Sequence, residues 1–598
     1  VIDEAMTDAT DNYSDVISRR RFVQLTGAAG AGALAGCSGD GGSGTDTDDT
    51  GSGDGETGTT SDGPNVVDQE FLAPQLNAPP TDGHYNTVSG HGNYHGYPSQ
   101  LLYDPLIKYN YATGEFNAYA LSDWEITESD VTLTIRDGLT WHDGDAVTAQ
   151  DVVTQFRLTK KMNSTLWDYA ESVEAVDDST VRINLQGATN PTILRFLLNG
   201  TPVAAKHSKY GEFLDKEASA LQEFDDTDPI GTGPFQLESQ DQQQQLFTRF
   251  EGHPDADNVN FSTFTHIFRD SNNAVHQGLL SLELDGGSNF FTPPSVVANM
   301  PDAVEEVRIP ANQGYGIVAN LEHKHVGKRK VRQAIAHVLD RPSIQQNAGP
   351  NTKTVPEKVT GIVTNQQETW LGDRMDQYES YGPAAQTDRA AQLLDEAGYS
   401  KDGGTWKDEN GSPIELPYLT PNGWSDWTTA TQSVVDQLND FGFNATVNST
   451  PGGEMLGNFG SGNFVIGAQY WAPGGPRSAF PYYGLQFQLM QPWTGPDPFY
   501  PDEEVTIPAM DGDGETTMNP HDLVAEIPSM TDEDELQTTI QQLAWHANVE
   551  LPAIQVLEKQ NQSWLTDDEW EIPEGDAAQV QFPCYWGPRT GDLQAKTE

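Results

Sequence analysis

Cysteine is almost missing from this chain: Cys37 and Cys584 are the only two among 598 residues. A disulfide framework is therefore excluded, and the fold must stand on packing. Apolar runs are short as well, with none reaching the roughly 18 residues that a membrane-spanning helix needs. Positive charge is scarce: 32 basic residues face 89 acidic ones, for a formal net charge of −57. A surface of that sign repels nucleic acid and anionic lipid. Neither a phosphate-cradling Gly-x-x-x-x-Gly-Lys loop nor a His-Glu-x-x-His pair is found, and no nucleophile, base and orienter stand out. No enzyme is expected, no cofactor is implied, and no repeat of solenoid length appears.

What remains is long, acidic and globular in composition. At 598 residues the chain exceeds one hydrophobic core, so two or three domains are expected. The acidic residues are spread along its whole length and would repel one another in dilute buffer. Molar salt shortens the Debye length to roughly 3 Å and screens them. The chain reads as one made for high salt, as in a halophile.

The most informative stretch runs from Asp123 to Leu158, DWEITESDVTLTIRDGLTWHDGDAVTAQDVVTQFRL. Val131, Leu133 and Ile135 alternate with polar residues, the period of a strand buried on one face. Asp137-Gly138 turns the chain, Leu139 to His142 makes a second short extended piece, and Asp143-Gly144 turns it again. A helix should follow, capped by Thr148, with Asp151 in its first turn and Val152, Val153 and Phe156 on its apolar face.

The same stretch resembles the signature of the peptide/nickel class of ABC-importer solute-binding proteins, family five. Leu121, Trp124, Glu125, Leu133, Arg136, Gly138, Trp141, His142, Asp143, Gly144, Thr148, Ala149, Asp151 and Val152 fall where that pattern puts them. The resemblance implies an α/β fold of the type II periplasmic-binding-protein kind. Two lobes and three domains would close across a hinge, with mixed sheets flanked by helices.

Residues 1–37 read as a targeting segment. Arg19 and Arg20, in Ser-Arg-Arg-Arg-Phe-Val-Gln, resemble a twin-arginine export motif; an Ala/Gly-rich stretch and Leu34-Ala35-Gly36-Cys37 then resemble a lipobox. Cys37 would be the lipidated first mature residue, leaving Cys584 alone. Val1 is not methionine, so an alternative initiation codon or a start at Met6 is expected. Residues 38–63, nearly all Gly, Ser, Thr and Asp, form a solvated tether.

Further family-like phrases follow in order. The segment Glu171 to Leu185 reads as two strands about an Asp177-Asp178-Ser179 turn, and Asp228 to Leu237 reads DPIGTGPFQL, whose glycines at 231 and 233 suit backbone closed to other residues. A strand ends at Asn320 and precedes a helix with Val331, Ala334, Ile335, Val338 and Leu339 inward. Helices are predicted over Gln386 to Gly398 and Thr428 to Gly442, the second leading into a strand from Phe443 to Val447. A last helix starts at Thr531 as N-cap, and Leu551 to Leu557 forms a closing strand.

The ligand region is expected in the aromatic-rich text near 470–530. Gly462 to Trp471 resembles a family segment whose tryptophan walls the ligand. In peptide-binding members an aspartate three residues later holds the peptide's amino terminus. Here that position is Gly474, and the text that follows resembles oligosaccharide-binding relatives. Trp471, Tyr482, Tyr483, Trp493, Phe499 and Tyr500 are the candidate ligand-binding residues, although core packing is the ordinary role of any one aromatic. Both peptide and oligosaccharide remain open. His91 with His95, and His323 with His325, lack the three convergent ligands of a metal site, so no metal is expected; His142 is read as structural.

The expectation is thus a ligand-binding lipoprotein held at the outer face of the cell membrane through Cys37. It would act as a monomer with ABC permease and ATPase subunits and bind no nucleic acid. A surface receptor or adhesion protein on the same fold is the reading from another class. Domain I would comprise 64–103, 229–315 and 550–590, domain II 104–228 and domain III 316–549.

Overall fold

Strand Asp130–Ile135 buries alternate residues, as its pattern predicts, because Val131 and Leu133 lie opposite Ile183 and Val181 on one face. It sits in a four-stranded antiparallel sheet ordered Leu121–Ile126, Asp130–Ile135, Thr180–Leu185, Ala170–Ala175. In this computed structural model, residues 66–76, 83–89, 94–288, 290–490, 500–574 and 583–597 are described. The targeting segment with Arg19, Arg20 and Cys37, the tether, His91, Trp493 and Phe499 lie outside them.

Helix Ala149–Lys161 begins where the capping residues place it, with Thr148 N–H and hydroxyl both donating to Asp151 Oδ2 at 2.8 and 2.9 Å. The piece from Leu139 to His142 is not a strand. It makes a single antiparallel bridge, Thr140 to Ala146, closed by Trp141 N–H to Asp145 O at 2.8 Å and Val147 N–H to Leu139 O at 3.0 Å. His142 is a staple: Nδ1 accepts from Gly231 N–H at 3.1 Å, and Nε2 donates to the Gly233 carbonyl at 3.0 Å. Burial pushes its pKa down to about 4. Those glycines are required by close approach and not by an unusual φ, since a Cβ would come within 2.1 Å of Leu102 O at Gly231 and 2.3 Å of Leu101 O at Gly233.

Three further sheets complete the framework. Val67–Gln75 runs parallel to Phe261–Phe268, which is followed by Gln244–Arg249 and Phe235–Gln240. Glu558–Thr566 lies between Gly286–Ser288 and Val304–Pro310 and also pairs with Lys353–Thr354. The fourth sheet has five strands in the order Asn444–Thr450, Glu415–Pro421, Ile466–Tyr470, Tyr315–Ala319, Ala553–Gln555. Helices Arg329–Val338, Thr387–Glu396 and Ser425–Phe441 bury the predicted apolar residues.

Several sequence-based boundaries shift, among them the helix start predicted at Thr428, which lies at Ser425, and the strand predicted over Phe443 to Val447, which spans Asn444–Thr450. The last helix spans Glu533–Glu550 and is capped by Asp532, whose side chain accepts from Glu535 N–H at 2.9 Å, so the cap is one residue beyond Thr531. The carboxylate outcompetes the hydroxyl for a positive helix end. The closing strand is only Ala553–Gln555, and the long strand Glu558–Thr566 after it carries no apolar period to announce it.

Candidate functional site

The two lobes are joined where two neighbouring strands pass from one sheet to the other. Residues 311–314 link Val304–Pro310 to Tyr315–Ala319, and Val556 and Leu557 link Ala553–Gln555 to Glu558–Thr566. The connections pair with each other: Ala311 N–H donates to Lys559 O at 3.0 Å, Lys559 N–H to Gln313 O at 2.8 Å, and Leu557 N–H to Tyr315 O at 3.0 Å. A Cβ on Gly314 would lie 1.9 Å from Leu557 O, so only glycine lets the strands approach this closely.

Beside this hinge lie the carboxyl ends of the parallel strands of the five-stranded sheet. Strand Glu415–Pro421 is parallel to Asn444–Thr450 on one side and Ile466–Tyr470 on the other. Its chain continues to the first neighbour, then crosses back to the second, so connections diverge at the carboxyl ends of Glu415–Pro421 and Ile466–Tyr470. Open α/β sheets take ligands at such switch points. Trp424, Asp426 and Trp427 follow the first strand, and Trp471 and Gly474 follow the second. Trp427 meets Tyr470 with ring centroids 4.8 Å apart and Trp424 at 4.9 Å, both edge-on.

A charged pair stands at the same end. Lys353 Nζ donates to Asp426 Oδ2 at 2.6 Å; the lysine side chain is 4% exposed and the aspartate 18%. Burial acts to raise the Asp426 pKa, but the Lys353 ammonium, helped by Lys559, more than offsets it and holds the carboxyl below its usual value. Glu558, next to the hinge, behaves oppositely. Burial pushes it up to about 7, although Thr364 donates to it through both its N–H and its hydroxyl.

The predicted aromatics separate into different settings. Trp471 is fully buried, and its indole N–H donates to the hinge carbonyl of Leu557 at 3.1 Å. Tyr482 and Tyr483, 5.0 Å apart on helix Pro481–Leu489, face the other lobe. There the Tyr482 hydroxyl bonds that of Tyr169, and the Tyr483 ring meets Phe196 at 6.0 Å. Tyr500 lies apart, its hydroxyl 2.8 Å from His546 Nε2.

Position 474 is crowded from the hinge. Gly474 has φ +83°, its N–H donates to Ser478 Oγ at 2.8 Å, and a Cβ there would sit 2.5 Å from Gln313 Oε1. Its neighbour Gly475 donates to Ala311 O at 3.0 Å and accepts from Asn312 Nδ2 at 3.1 Å. Sequence reasoning missed Asn312, Gln313, Lys353, Trp424, Asp426 and Trp427. The only cue was the bare glycine at 474, which pointed to a missing side chain without naming its replacement.

Histidines are placed as packing and hydrogen-bonding groups. His95 lies against Tyr85 at 4.8 Å and is pushed down to about 4 by burial, and His325 Nδ1 is 2.9 Å from the Tyr399 hydroxyl. Among the described residues no group of three or more His, Cys, Asp or Glu could hold a metal ion. None of their helices is long and apolar enough to cross a membrane.

Residues 117–489 match the family model for bacterial extracellular solute-binding proteins, family 5. The dipeptide-binding protein of Escherichia coli K12 is 26% identical over 357 residues, which cover 54% of this chain and 62% of that one. The chain thus matches less than two thirds of that relative's length. A crystal structure of an oligopeptide ABC transporter's periplasmic oligopeptide-binding protein from Thermotoga maritima superposes with a TM-score of 0.70 at 20% identity, over 88% of this chain and 99% of that chain. The same protein bound to mannohexaose gives a TM-score of 0.65 at 20% identity, with the same coverage. Those structures share the fold expected from the signature stretch, and the match from 117 to 489 makes the relationship explicit: this chain belongs to the bacterial extracellular solute-binding proteins of family 5.

Proposed function

We propose that this protein captures solutes of the oligopeptide class between its two lobes and delivers them to an ABC permease. The observation that carries this reading is the hinge: among the described residues the chain passes between the two lobes through two short, mutually hydrogen-bonded connections beside a switch point of the five-stranded sheet. Such a joint permits opening and closing without breaking either sheet. The relatives' peptide ligands support the class. Micromolar capture needs about 8 kcal/mol, which a closed crevice with aromatic walls and backbone groups can supply.

In this reading the chain leaves the cell by a twin-arginine route, stays tethered through Cys37, and works in high salt with its −57 charge screened. Its three domains follow the boundaries given above, and Trp471 at the hinge with Tyr482 and Tyr483 between the lobes border the ligand, while Tyr500 stands apart beside His546. A second reading keeps the transport role with an oligosaccharide as ligand, and Gly474 in place of an aspartate favours it.

Thermal unfolding of the purified protein in molar salt, against panels of short peptides and oligosaccharides, tests the role, since a ligand bound to the folded state raises Tm. Stabilisation by members of either panel is expected. Turnover of a panel member, or indifference to both panels, would remove the proposal.

A further inference from the structure

The hinge carries two buried oxygens that no described residue satisfies. Asn312 is 5% exposed and Gln313 3%, and neither Asn312 Oδ1 nor Gln313 Oε1 has a hydrogen-bond partner among the described residues. Buried acceptors without donors are costly, and each one in a folded protein calls for an explanation. The orientation of Asn312 follows from the structure: Nδ2 donates to Gly475 O at 3.1 Å, and a flipped amide would set two oxygens against each other.

The Gln313 backbone is anchored at the same hinge, its carbonyl accepting from Lys559 N–H at 2.8 Å. Its side-chain oxygen then occupies the space beside residue 474, at 2.5 Å from where a Cβ would be. The glycine leaves that space free. Trp471, three residues earlier, is bonded to the same hinge through Leu557. Both oxygens therefore belong to the wall where the loop after Ile466–Tyr470 meets the hinge.

We propose that Gln313, with Asn312 beside it, is the polar anchor for the ligand, and that the groups it receives are the uncharged hydroxyls of an oligosaccharide. Two neutral acceptors suit hydroxyl donors. An ammonium group buried against them would bring a charge with no counter-charge, and the nearby Asp426 carboxylate is already engaged by Lys353 at 2.6 Å. The inference rests on the capture role proposed above and favours its second reading, the oligosaccharide, over the oligopeptide.

The test is calorimetric titration and thermal unfolding of the full-length protein in molar salt. The probes are mannohexaose, cellohexaose, hexa-alanine and N-acetylated hexa-alanine. The variants are Gln313→Met, which keeps the length and removes the acceptor, and Gln313→Glu. A hexasaccharide should bind the parent protein, and Gln313→Met should weaken it by about tenfold or more while the ligand-free Tm holds or rises, because the unpaired oxygen is gone. A purely structural glutamine would instead lose Tm and keep its affinity. The proposal falls if Gln313→Met binds sugar like the parent, or if either hexa-alanine probe binds the parent and neither hexasaccharide does. Binding of none of the four probes by the parent protein overturns the capture role itself and this assignment with it, whereas parent binding that is indifferent to position 313 overturns this assignment alone.

Discussion

The indole N–H of Trp471 donates to the carbonyl oxygen of Leu557 at 3.1 Å, tying the loop after strand Ile466–Tyr470 to the hinge. Both partners are buried. Replacing Trp471 by Phe keeps an aromatic ring but removes the donor, and the stranded carbonyl should cost about 1–3 kcal/mol. Trp471→Ala adds a cavity and should cost about 3–5 kcal/mol. Denaturant unfolding of both variants checks this; a Trp471→Phe variant as stable as the parent would show that ring volume matters and the N–H does not.

Gly314 faces a more severe limit. With a Cβ 1.9 Å from Leu557 O, Gly314→Ala must push the paired hinge connections apart, and the cost should exceed about 3 kcal/mol. Loss of amide-exchange protection at Leu557 and Lys559, whose N–H groups bond Tyr315 O and Gln313 O, is the local readout.

Glu558 makes stability depend on pH with a definite sign. Its pKa rises in the folded state from 4.5 to about 7, so between those values the folded protein holds more protons than the unfolded chain. Its contribution is therefore greatest below about pH 4.5 and is lost as pH rises through 7. Glu558→Gln, whose amide oxygen can still accept from Thr364, should match the parent near pH 4 and exceed it at pH 8 by on the order of 2 kcal/mol. Melting curves across this range would exclude the assignment if the difference stayed constant.

Phe196 lies across from the aromatic segment, its ring stacked on Phe480 at 6.5 Å and edge-on to Tyr483 at 6.0 Å, while Asn190 N–H donates to Pro528 O at 2.7 Å. These contacts favour the closed arrangement. Phe196→Ala should shift the population towards open, enlarging the scattering radius of the ligand-free protein and weakening ligand by about tenfold for each 1.4 kcal/mol of closure lost. An unchanged radius with intact affinity would assign Phe196 to packing only.

Salt should act on the whole surface. With a net charge of −57, Tm is expected to climb between 0.1 and about 2 M KCl as the screening length falls. A flat or falling profile would contradict adaptation to high salt.

Elements whose determinants are local were legible in advance. Strand Asp130–Ile135 alternates because one face is buried, and helix Ala149–Lys161 starts where Thr148 and Asp151 cap it. Each needs only neighbours within a few residues. His142 was recognisable as structural for a related reason, since Asp143-Gly144 already assigned the turn, but its bonds to Gly231 and Gly233 appear only once distant chain segments meet.

Strand Glu558–Thr566 shows where that legibility stops. Its first residues, Glu558 to Gln562, have no apolar period, because their side chains meet polar partners, Glu558 accepting from Thr364 and Gln562 donating to Glu306. The aromatic run from Trp471 to Tyr500 looked like one wall, yet its described members fall at the hinge, against the opposite lobe, and beside His546.

By itself, the sequence determined the acid excess, the family signature, the helices and the absence of a disulfide framework, all of which depend on composition or on short spacings. Only the tertiary structure decided that Gln313 fills the space beside Gly474, that Lys353 meets Asp426, and that Glu558 is half-buried next to the hinge. Those facts arise from residues far apart in the chain, where burial and close approach, not local propensity, set the energy of each group.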